Sequence, residues 1–485
     1  MSDFNRRNIL NGFFWRFAER CGAQGVSAVV SVLLARLLAP EAYGTIALIT
    51  VFTGILQIFV DGGMGNALIQ KKDADDLDFS SVFYFNVAAC LLLYAAMFFA
   101  APFIASFYRD PGLIPLIRVL GLTLIISGIK NVQQAYVSRT MQFKRFFAAT
   151  LAGTAGAAVL GVSMALMDFG VWALAAQQIL NITVDTIVLW LTVKWRPKRM
   201  FSLKRLKSML GYGWKLLVSG LLDRIYNELR QLIIGKIYSP SDLAYYNQGQ
   251  QFPCFLVTNI NTSIDSVLFP AMSDRQGSPS EVRSMMRRSV KTSAYIMAPL
   301  MTGAVASAVP LIRLLLTERW LSCAPFLRVF CVTYMFYPIH TANLNAMKAM
   351  GRSDLFLKLE LWKKAVGMAA LFVSMRHGVL AMAYSLLAES VASQFINSWP
   401  NRTLLNYSCL EQIKDIMPAV LLAVSMGICI SPIPRLALPD AATLVIMVAL
   451  GSILYIGGSW LFKLEAFEYI LDVLKSAMGK RGKEM

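Results

Sequence analysis

The sequence contains about fourteen apolar runs, each near the length of a membrane-spanning helix and separated from the next by polar or basic residues. A helix rises about 1.5 Å per residue, so about 20 residues cross the hydrocarbon core of a bilayer. The predicted spans are approximately 13–38, 44–69, 81–105, 114–136, 147–167, 170–193, 211–236, 243–270, 291–316, 323–346, 360–376, 378–399, 416–433 and 439–462. The eleventh is short and a Pro-rich stretch separates the last two, so we expect about twelve to fourteen transmembrane helices.

The composition excludes a soluble enzyme. Hydrophobic residues make up 56% of the 485-residue chain, charged residues only 15%, and the mean hydropathy is +0.55. A soluble chain carries about 25% charged residues, which it needs to cover its surface. The apolar excess must therefore face lipid, and the sequence predicts an all-α polytopic membrane protein.

The formal net charge of +18 is distributed in a way that indicates a membrane rather than nucleic acid. Basic residues come in short clusters between the apolar runs, as in 194–207, which is typical of cytoplasmic loops. With a cytoplasmic N-terminus and an even number of spans, roughly 34 of the 46 Lys and Arg fall on the cytoplasmic side and about 9 on the other. We therefore predict that both termini are cytoplasmic.

The sequence offers no pattern for a metal, a cofactor or an enzymatic reaction. The seven cysteines are scattered, mostly inside apolar runs and without a CxxC pair, and the two histidines are far apart. Walker, GxSxG and HExxH motifs are missing. We expect neither a metal nor a cofactor, and no enzymatic activity.

Three short matches recur in the same order and indicate an internal repeat. Gly12–Arg16 resembles Gly211–Lys215, Arg36–Tyr43 resembles Lys236–Tyr245, and Pro115–Val119 resembles Pro325–Val329. The offsets of about 200 residues are long enough for six spans, so both copies would cross the membrane in the same direction. The sequence predicts six-helix lobes at 1–205 and 206–410, two additional helices at 411–465 and a basic cytoplasmic tail at 466–485, with a central cavity between the lobes.

Polar residues are concentrated in two neighbouring predicted spans. In the seventh span they recur at spacings of three and four, which places them on one side of a helix: Asp223, Arg224, Asn227, Glu228, Arg230 and Gln231. The eighth span carries a polar stripe along almost its full length: Asn247, Gln250, Gln251, Thr258, Asn261, Thr262 and Asp265. Ionisable groups at membrane depth cost several kcal/mol unless they face water or a partner, so these helices predict water between the lobes.

The first predicted hairpin carries a second set of charges. Arg20 lies about 20 residues before Pro40 and Asp61 about 20 after it, so antiparallel helices would bring both to a similar depth. Arg16 lies one turn from Arg20 on the same face, and Glu19 is beside them. The pattern predicts a charge pair in this hairpin.

Each of these charges also has a purely structural interpretation. Asp61 and Glu228 can neutralise neighbouring cations and fix helix register, whereas Arg16 and Arg20 can extend to the cytoplasmic interface. A structural role is favoured for three charges that are isolated within apolar runs: Lys130, Asp185 and Glu389.

The first 360 residues resemble a known family. The segments Leu34–Gly44 and Asp61–Lys72 are similar to the opening of Wzx-type polysaccharide flippases, especially the colanic-acid and teichuronic-acid exporter branch. Shorter similarities are Phe143-Lys144, Val267–Ala271, Glu318–Trp320 and Ala346–Ala349. The family belongs to the multidrug/oligosaccharidyl-lipid/polysaccharide exporter superfamily. The C-terminal third resembles it in hydropathy alone.

The resemblance implies two six-helix lobes, in some members with two extra helices, and a transport function. The implied activity is translocation of an undecaprenyl-diphosphate-linked oligosaccharide across a bacterial inner membrane, for polysaccharide biosynthesis and export. Membrane lipid and the polyprenyl-linked glycan are the implied ligands, and a polysaccharide polymerase and glycosyltransferases are candidate partners. We expect a monomer that does not bind nucleic acid.

Arginine suits a diphosphate because its planar donors pair with phosphate oxygens. We predict a cationic, substrate-binding cavity formed by Arg16, Arg20, Arg224, Arg230, Asn247, Gln250, Gln251 and Asn261. The candidates for coupling to a proton or sodium ion are Glu19, Asp61, Asp223, Glu228 and Asp265. The alternatives are a cation-coupled multidrug exporter of the same superfamily, whose cavity acidic groups would dominate, a membrane-embedded polysaccharide polymerase, which would need a large outer loop, and a scaffold of envelope synthesis.

Overall fold

The computed structural model consists of α-helices joined by short connections, and it describes residues 22, 24–61, 64–71, 73–436 and 438–481. No strand occurs within these ranges, which confirms the all-α fold class. In the first half of the chain the helices are α1 (Gln24–Leu37), α2 (Pro40–Asp61), α3 (Met64–Gln70), α4 (Asp76–Tyr108), α5 (Leu113–Arg139), α6 (Phe143–Leu166), α7 (Val171–Thr192) and α8 (Leu203–Ile237).

Ten further α-helices follow, with single 3₁₀ turns at Glu318–Cys323 and Ile433–Leu436. They are α9 (Pro240–Asp274), α10 (Pro279–Ala306), α11 (Ala308–Leu316), α12 (Ala324–Met335), α13 (Tyr337–Ala349), α14 (Ser353–Ser374), α15 (Val379–Leu404), α16 (Cys409–Ile430), α17 (Asp440–Leu461) and α18 (Glu465–Arg481). Thirteen of the fourteen predicted spans coincide with one of these helices or with two consecutive ones, and the described part of the first, from residue 24, is helical as well.

Nine helical segments of the described chain are long and apolar enough to cross a bilayer, or ten if α10 and α11, bent by 74°, form one span. The described part of α1 is a shorter apolar helix. Helices α8, α9 and α14 are long enough to span but are more polar than the others. Large apolar side chains on the spans are exposed, such as Phe103 at 78%, which is the surface expected in lipid.

The chain divides into two compact units, Met1–Ala244 and Tyr245–Met485. Helix α8 packs against α2 and α4 within the first unit. The lobe boundaries at 205 and 410, which were derived from the internal repeat, stay a prediction. The loop that joins α8 to α9 resembles the loop that joins α1 to α2, because in both the second helix begins at a proline after two non-helical residues.

A stripe of small residues explains the close packing of α6 on α7. The buried positions recur every four residues: Ala149, Gly153, Ala157, Gly161 and Ala165. A Cβ at Gly153 would lie 2.8 Å from the carbonyl oxygen of Asn181, so only glycine fits there. Without a hydrophobic force between helices in lipid, such close backbone contact is what holds them together.

Carboxylates at the start of α4 pair with basic residues of the loop before this helix and of the first turn of α8. Asp78 is fully buried, and its carboxylate lies 2.6 Å from Lys71 Nζ and 3.4 Å from an Arg205 nitrogen. Asp75 caps α4 by accepting a hydrogen bond from the backbone N–H of Asp78, and it pairs with Arg205 at 2.6 Å. These basic residues therefore also have a structural role.

Amide side chains join α13, α15 and α16 in the second unit. Asn343 and Gln412 exchange two hydrogen bonds of 2.9 and 3.0 Å, and Asn401 Nδ2 donates a third, of 2.8 Å, to the side-chain oxygen Oδ1 of Asn343. All three side chains are buried. Buried amides that satisfy one another fix the register of helices whose outer surfaces are uniformly apolar.

We expect Asp78→Ala to lower the free energy of unfolding by about 2 kcal/mol, because it leaves Lys71 without its counter-charge and removes one of the two carboxylates that pair with Arg205. The melting temperature of the purified protein in detergent measures the effect. The matched control is Asp73→Ala, which removes an exposed carboxylate from the loop between α3 and α4. It should change stability by less than about 0.5 kcal/mol. Equal melting temperatures for the two variants would contradict the structural role of Asp78.

The cap of α4 also predicts a pH dependence. The backbone N–H of Asp78, and next the Arg205 guanidinium, hold the pKa of Asp75 at about 2, below its usual value of about 3.9. A carboxylate whose pKa is lower in the folded state stabilises the fold at pH values above its pKa in the unfolded state. This stabilisation is lost as the pH falls toward its pKa in the folded state. The difference in melting temperature between wild type and Asp75→Asn should be full above about pH 4 and disappear toward pH 2. A difference that does not vary over this range would refute the assignment.

Candidate functional site

Two residues of α8 form an ion pair inside the first unit. Arg224 Nη2 lies 2.7 Å from Glu228 Oε1, one helical turn away. The second carboxylate oxygen of Glu228 accepts a hydrogen bond of 2.7 Å from Gln231 Nε2. Glu228 is buried, whereas the Arg224 side chain is 41% exposed. The pair therefore presents its cationic partner to solvent and keeps its anionic partner inside.

The guanidinium of Arg224 rests on a glycine of α2. A Cβ at Gly54 would lie 2.5 Å from Arg224 Nη2, so the missing side chain provides the space that the guanidinium occupies. Arg224 Nε is buried and has no hydrogen-bond partner among the described residues. The guanidinium thus has donor capacity beyond its bond to Glu228.

A polar cavity of about 400 Å³, which Gly54 also lines, is bordered by α2, α5 and α7. Hydroxyl and amide side chains line most of it, including Thr50, Thr53, Thr123, Ser127, Gln134 and Gln178. Two charged residues, Asp61 and Lys130, also line it. Hydroxyls and amides at membrane depth indicate that water reaches this cavity.

Three charges are brought together beside this cavity. Lys130 Nζ of α5 lies 3.0 Å from Asp185 Oδ2 of α7. Asp61, at the end of α2, accepts a hydrogen bond of 3.1 Å from Gln57 Nε2 and is attracted electrostatically by Lys130. Next to Lys130, the buried Asn131 accepts a hydrogen bond of 3.2 Å from Asn86. The ammonium of Lys130 is thus shared by two carboxylates. Asp185 forms the ion pair with it, and Asp61 is the second carboxylate.

Sequence reasoning missed Lys130 and Asp185 as parts of a site, because they are 55 residues apart and each looks isolated. An unpaired charge in hydrocarbon is costly, so each of these residues predicts a partner of opposite charge on a neighbouring helix. That argument could have linked them. Only the packing of α5 against α7 shows which partner it is.

The other predicted site residues have varied surroundings. On α8, Asp223 is exposed and Arg230 is half-buried, and both have partners. On α9, Asn247 and Asn261 are half-buried, whereas Gln251 and Asp265 are exposed.

Gln250 of α9 donates a hydrogen bond to the hydroxyl of Tyr334 on α12, so it is already engaged within the second unit. Arg16, Glu19 and Arg20 lie outside the described residues. The predicted pairing of the first hairpin therefore stays a prediction. In the ranges that the structure describes, no group of three His, Cys, Asp or Glu side chains could hold a metal ion.

Known proteins resemble this chain over most of its length. Residues 33–325, more than half of the chain, match the family described as "Polysaccharide biosynthesis protein". The teichuronic acid biosynthesis protein TuaB of Bacillus subtilis (strain 168) is 24% identical over 426 residues, covering 87% of this chain and 88% of the relative. The lipopolysaccharide biosynthesis protein WzxC of Escherichia coli (strain K12) is 22% identical over 408 residues, covering 83% and 80%.

Solved structures share the fold. The lipid II flippase MurJ, in an inward closed conformation, superposes with a TM-score of 0.76 at 14% identity, covering 93% of this chain and 98% of that one. An inward-facing multidrug resistance transporter of the MATE family superposes with a TM-score of 0.61 at 16% identity, covering 79% and 94%. The architecture is therefore that of multi-pass transporters.

These findings confirm the resemblance drawn from the sequence and exclude the enzyme alternative. The chain belongs to the polysaccharide biosynthesis protein family and is a Wzx-type, flippase-like membrane transporter of the multidrug/oligosaccharidyl-lipid/polysaccharide exporter superfamily.

Proposed function

We propose that the protein translocates an undecaprenyl-diphosphate-linked oligosaccharide across the bacterial inner membrane by alternating access, with both termini in the cytoplasm. Two kinds of similarity support this. Its relatives carry the names of teichuronic acid and lipopolysaccharide biosynthesis proteins, and a lipid II flippase shares its fold. The transport problem is to carry a diphosphate and a sugar chain through hydrocarbon while the polyprenyl tail stays in lipid.

The observation that carries the proposal is the half-exposed guanidinium of Arg224. Glu228 engages one nitrogen at 2.7 Å and holds the group in place. The remaining donors can pair with diphosphate oxygens, and a planar guanidinium does so with two parallel bonds. Because Glu228 is already bonded to Arg224 and Gln231, its role in this proposal is to position the cation rather than to exchange an ion.

The other predicted ligands extend this proposal. Arg16, Arg20 and Arg230 would add positive charge for the diphosphate. Asn247, Gln251 and Asn261 would exchange hydrogen bonds with sugar hydroxyls as water is displaced. Gln250 is bonded to Tyr334, and Asn247 and Gln251 also have partners, so each would exchange an existing contact for one to the sugar.

Asp61 is the carboxylate that we assign to ion coupling. Of the described candidates it alone lines the polar cavity of the first unit, where the ammonium of Lys130 is already paired with Asp185. A carboxylate in such a cavity can be ionised or protonated at modest cost, since the surrounding hydroxyls, amides and water stabilise both forms. Asp223, Asp265 and Glu19 are the less favoured candidates.

We expect Arg224→Ala to slow translocation of a lipid-linked oligosaccharide in proteoliposomes by about tenfold or more, because a hydrogen bond to a charged group is lost. Arg224→Lys should restore part of the rate, since lysine keeps the charge but not the bidentate geometry. The assay is protection of a fluorescent lipid-linked oligosaccharide from an external quencher, at matched protein level.

The control is Arg199→Ala, an exposed arginine in the loop before α8, which should transport normally. The double variant Arg224→Ala/Glu228→Ala removes the unpaired buried carboxylate and should fold while still transporting slowly. Wild-type rates in both Arg224 variants would refute the proposal. Export of cationic drugs without transport of the glycan lipid would favour a multidrug exporter instead.

Asp61→Asn is expected to abolish the stimulation of transport by an imposed proton or sodium gradient, because the amide cannot bind or release either ion. Exchange of the glycan lipid without a gradient should continue at about half the wild-type rate or better. Asp73→Asn is the matched control and should keep the full response. A gradient response that survives in Asp61→Asn would remove this residue from the coupling step.

A further inference from the structure

A second groove, of about 850 Å³, lies within the second unit and apart from the polar cavity of the first. It is bordered by the last third of α9, the first two thirds of α10 and Tyr469 of α18. Helix α9 ends at Asp274 and α10 begins at Pro279, so the groove opens at the end of the hairpin that these helices form. It is therefore placed near one surface of the membrane.

The α10 wall of the groove is polar and carries one cation. Ser284, Arg288, Ser289 and Thr292 line it. Arg288 is exposed, and its guanidinium carbon lies 4.8 Å from the centre of the Tyr469 ring. Within the described chain no carboxylate lies within ion-pair distance of it.

Unlike Arg288, the neighbouring arginines of α10 have carboxylate partners. Arg287 makes two hydrogen bonds to Asp415, of 2.7 and 2.8 Å, and Arg283 lies 3.5 Å from Glu411. The one carboxylate that lines the groove, Glu281, is paired with Arg275 at 3.0 Å. Arg288 is thus the cation of this helix that is left for a ligand.

The α9 wall is mainly aliphatic, although Asn259 and Ser263 also line it. Ile260, Ile264 and Leu268 line it at intervals of four residues and therefore share one face of the helix. Val267 extends this face and is 70% exposed. In the polar stripe of α9, Asn261 is turned about 60° and Asp265 about 100° away from Ile264 around the helix axis. The polar stripe therefore adjoins the apolar face of the same helix.

We propose that this groove binds the phosphorylated end of the polyprenyl carrier. The phosphate contacts Arg288 and the hydroxyls of Ser284 and Thr292, and the first isoprene units lie on Ile260, Ile264 and Leu268. Charge and polarity carry the assignment, because an unpaired guanidinium opposite an aliphatic wall is complementary to an amphiphile with an anionic head. The inference rests on the proposed function for the choice of a polyprenyl lipid over other anionic lipids.

The test is photo-crosslinking of the full-length protein in nanodiscs of phosphatidylethanolamine that contain a small mole fraction of undecaprenyl phosphate. A photoreactive amino acid replaces Ile264 in the groove or Val445, an exposed residue of α17 outside it. Mass spectrometry measures the lipid adduct. We expect an undecaprenyl phosphate adduct at position 264 and about tenfold less at 445.

Arg288→Ala should reduce the adduct at position 264 by about tenfold, and Arg288→Lys should restore part of it. Arg283→Ala is the matched control on the same helix and should leave the adduct unchanged. Equal labelling at 264 and 445, or labelling that does not respond to Arg288→Ala, would overturn the inference. So would equal labelling at 264 when phosphatidylglycerol replaces undecaprenyl phosphate, which would assign the groove to bulk lipid.

The assay involves no transport, so it separates this inference from the proposed function. If the protein fails to translocate the glycan lipid but labels at 264 in the expected way, the groove is supported and the proposed function fails. If transport is normal and labelling at 264 equals that at 445, the groove alone is refuted.

Discussion

A charge in hydrocarbon needs a partner, and this requirement constrains how the helices of the first unit pack. Lys130 and Asp185 satisfy each other across α5 and α7 at 3.0 Å, and Arg224 and Glu228 do so within α8 at 2.7 Å. The apolar residues between them only have to face lipid, which many arrangements allow. The polar pairs and the stripe of small residues on α6 allow few arrangements, so they specify the fold.

The number and length of the helices could be predicted from the sequence because bilayer thickness sets both. Thirteen of the predicted spans and the described part of the first coincide with helices, and the polar spacing of α8 and α9 predicted that these would differ from the rest. The hydropathy pattern did not reveal the 74° bend between α10 and α11, although Pro310, which lacks the N–H that would bond one turn back across Ser307, is a sequence signal for a break. A bend depends on what the two ends pack against, which a hydropathy pattern does not contain.

The candidate site was predictable only in part, because a sequence pattern does not contain the contacts between helices. A spacing of four placed Arg224 and Glu228 on one side of α8, and that local geometry agrees with the structure. It did not reveal that Gly54 of α2 makes room for the guanidinium, or that Lys130 has a partner 55 residues away. Helix periodicity identifies neighbours on one helix, whereas contacts between helices depend on small residues whose role is invisible until both partners are known.

The arginines of this protein can be sorted by what their donors already contact. Arg287 makes two parallel bonds to Asp415, so its charge is balanced by a carboxylate and the pair joins α10 to α16. Arg224 uses one nitrogen for Glu228, and Arg288 has no carboxylate partner in the described chain. An exposed guanidinium with free donors at membrane depth is stable only if water or an anion reaches it. Under the proposed function, the place where water or an anion reaches such an arginine is also the place where the lipid head group can bind.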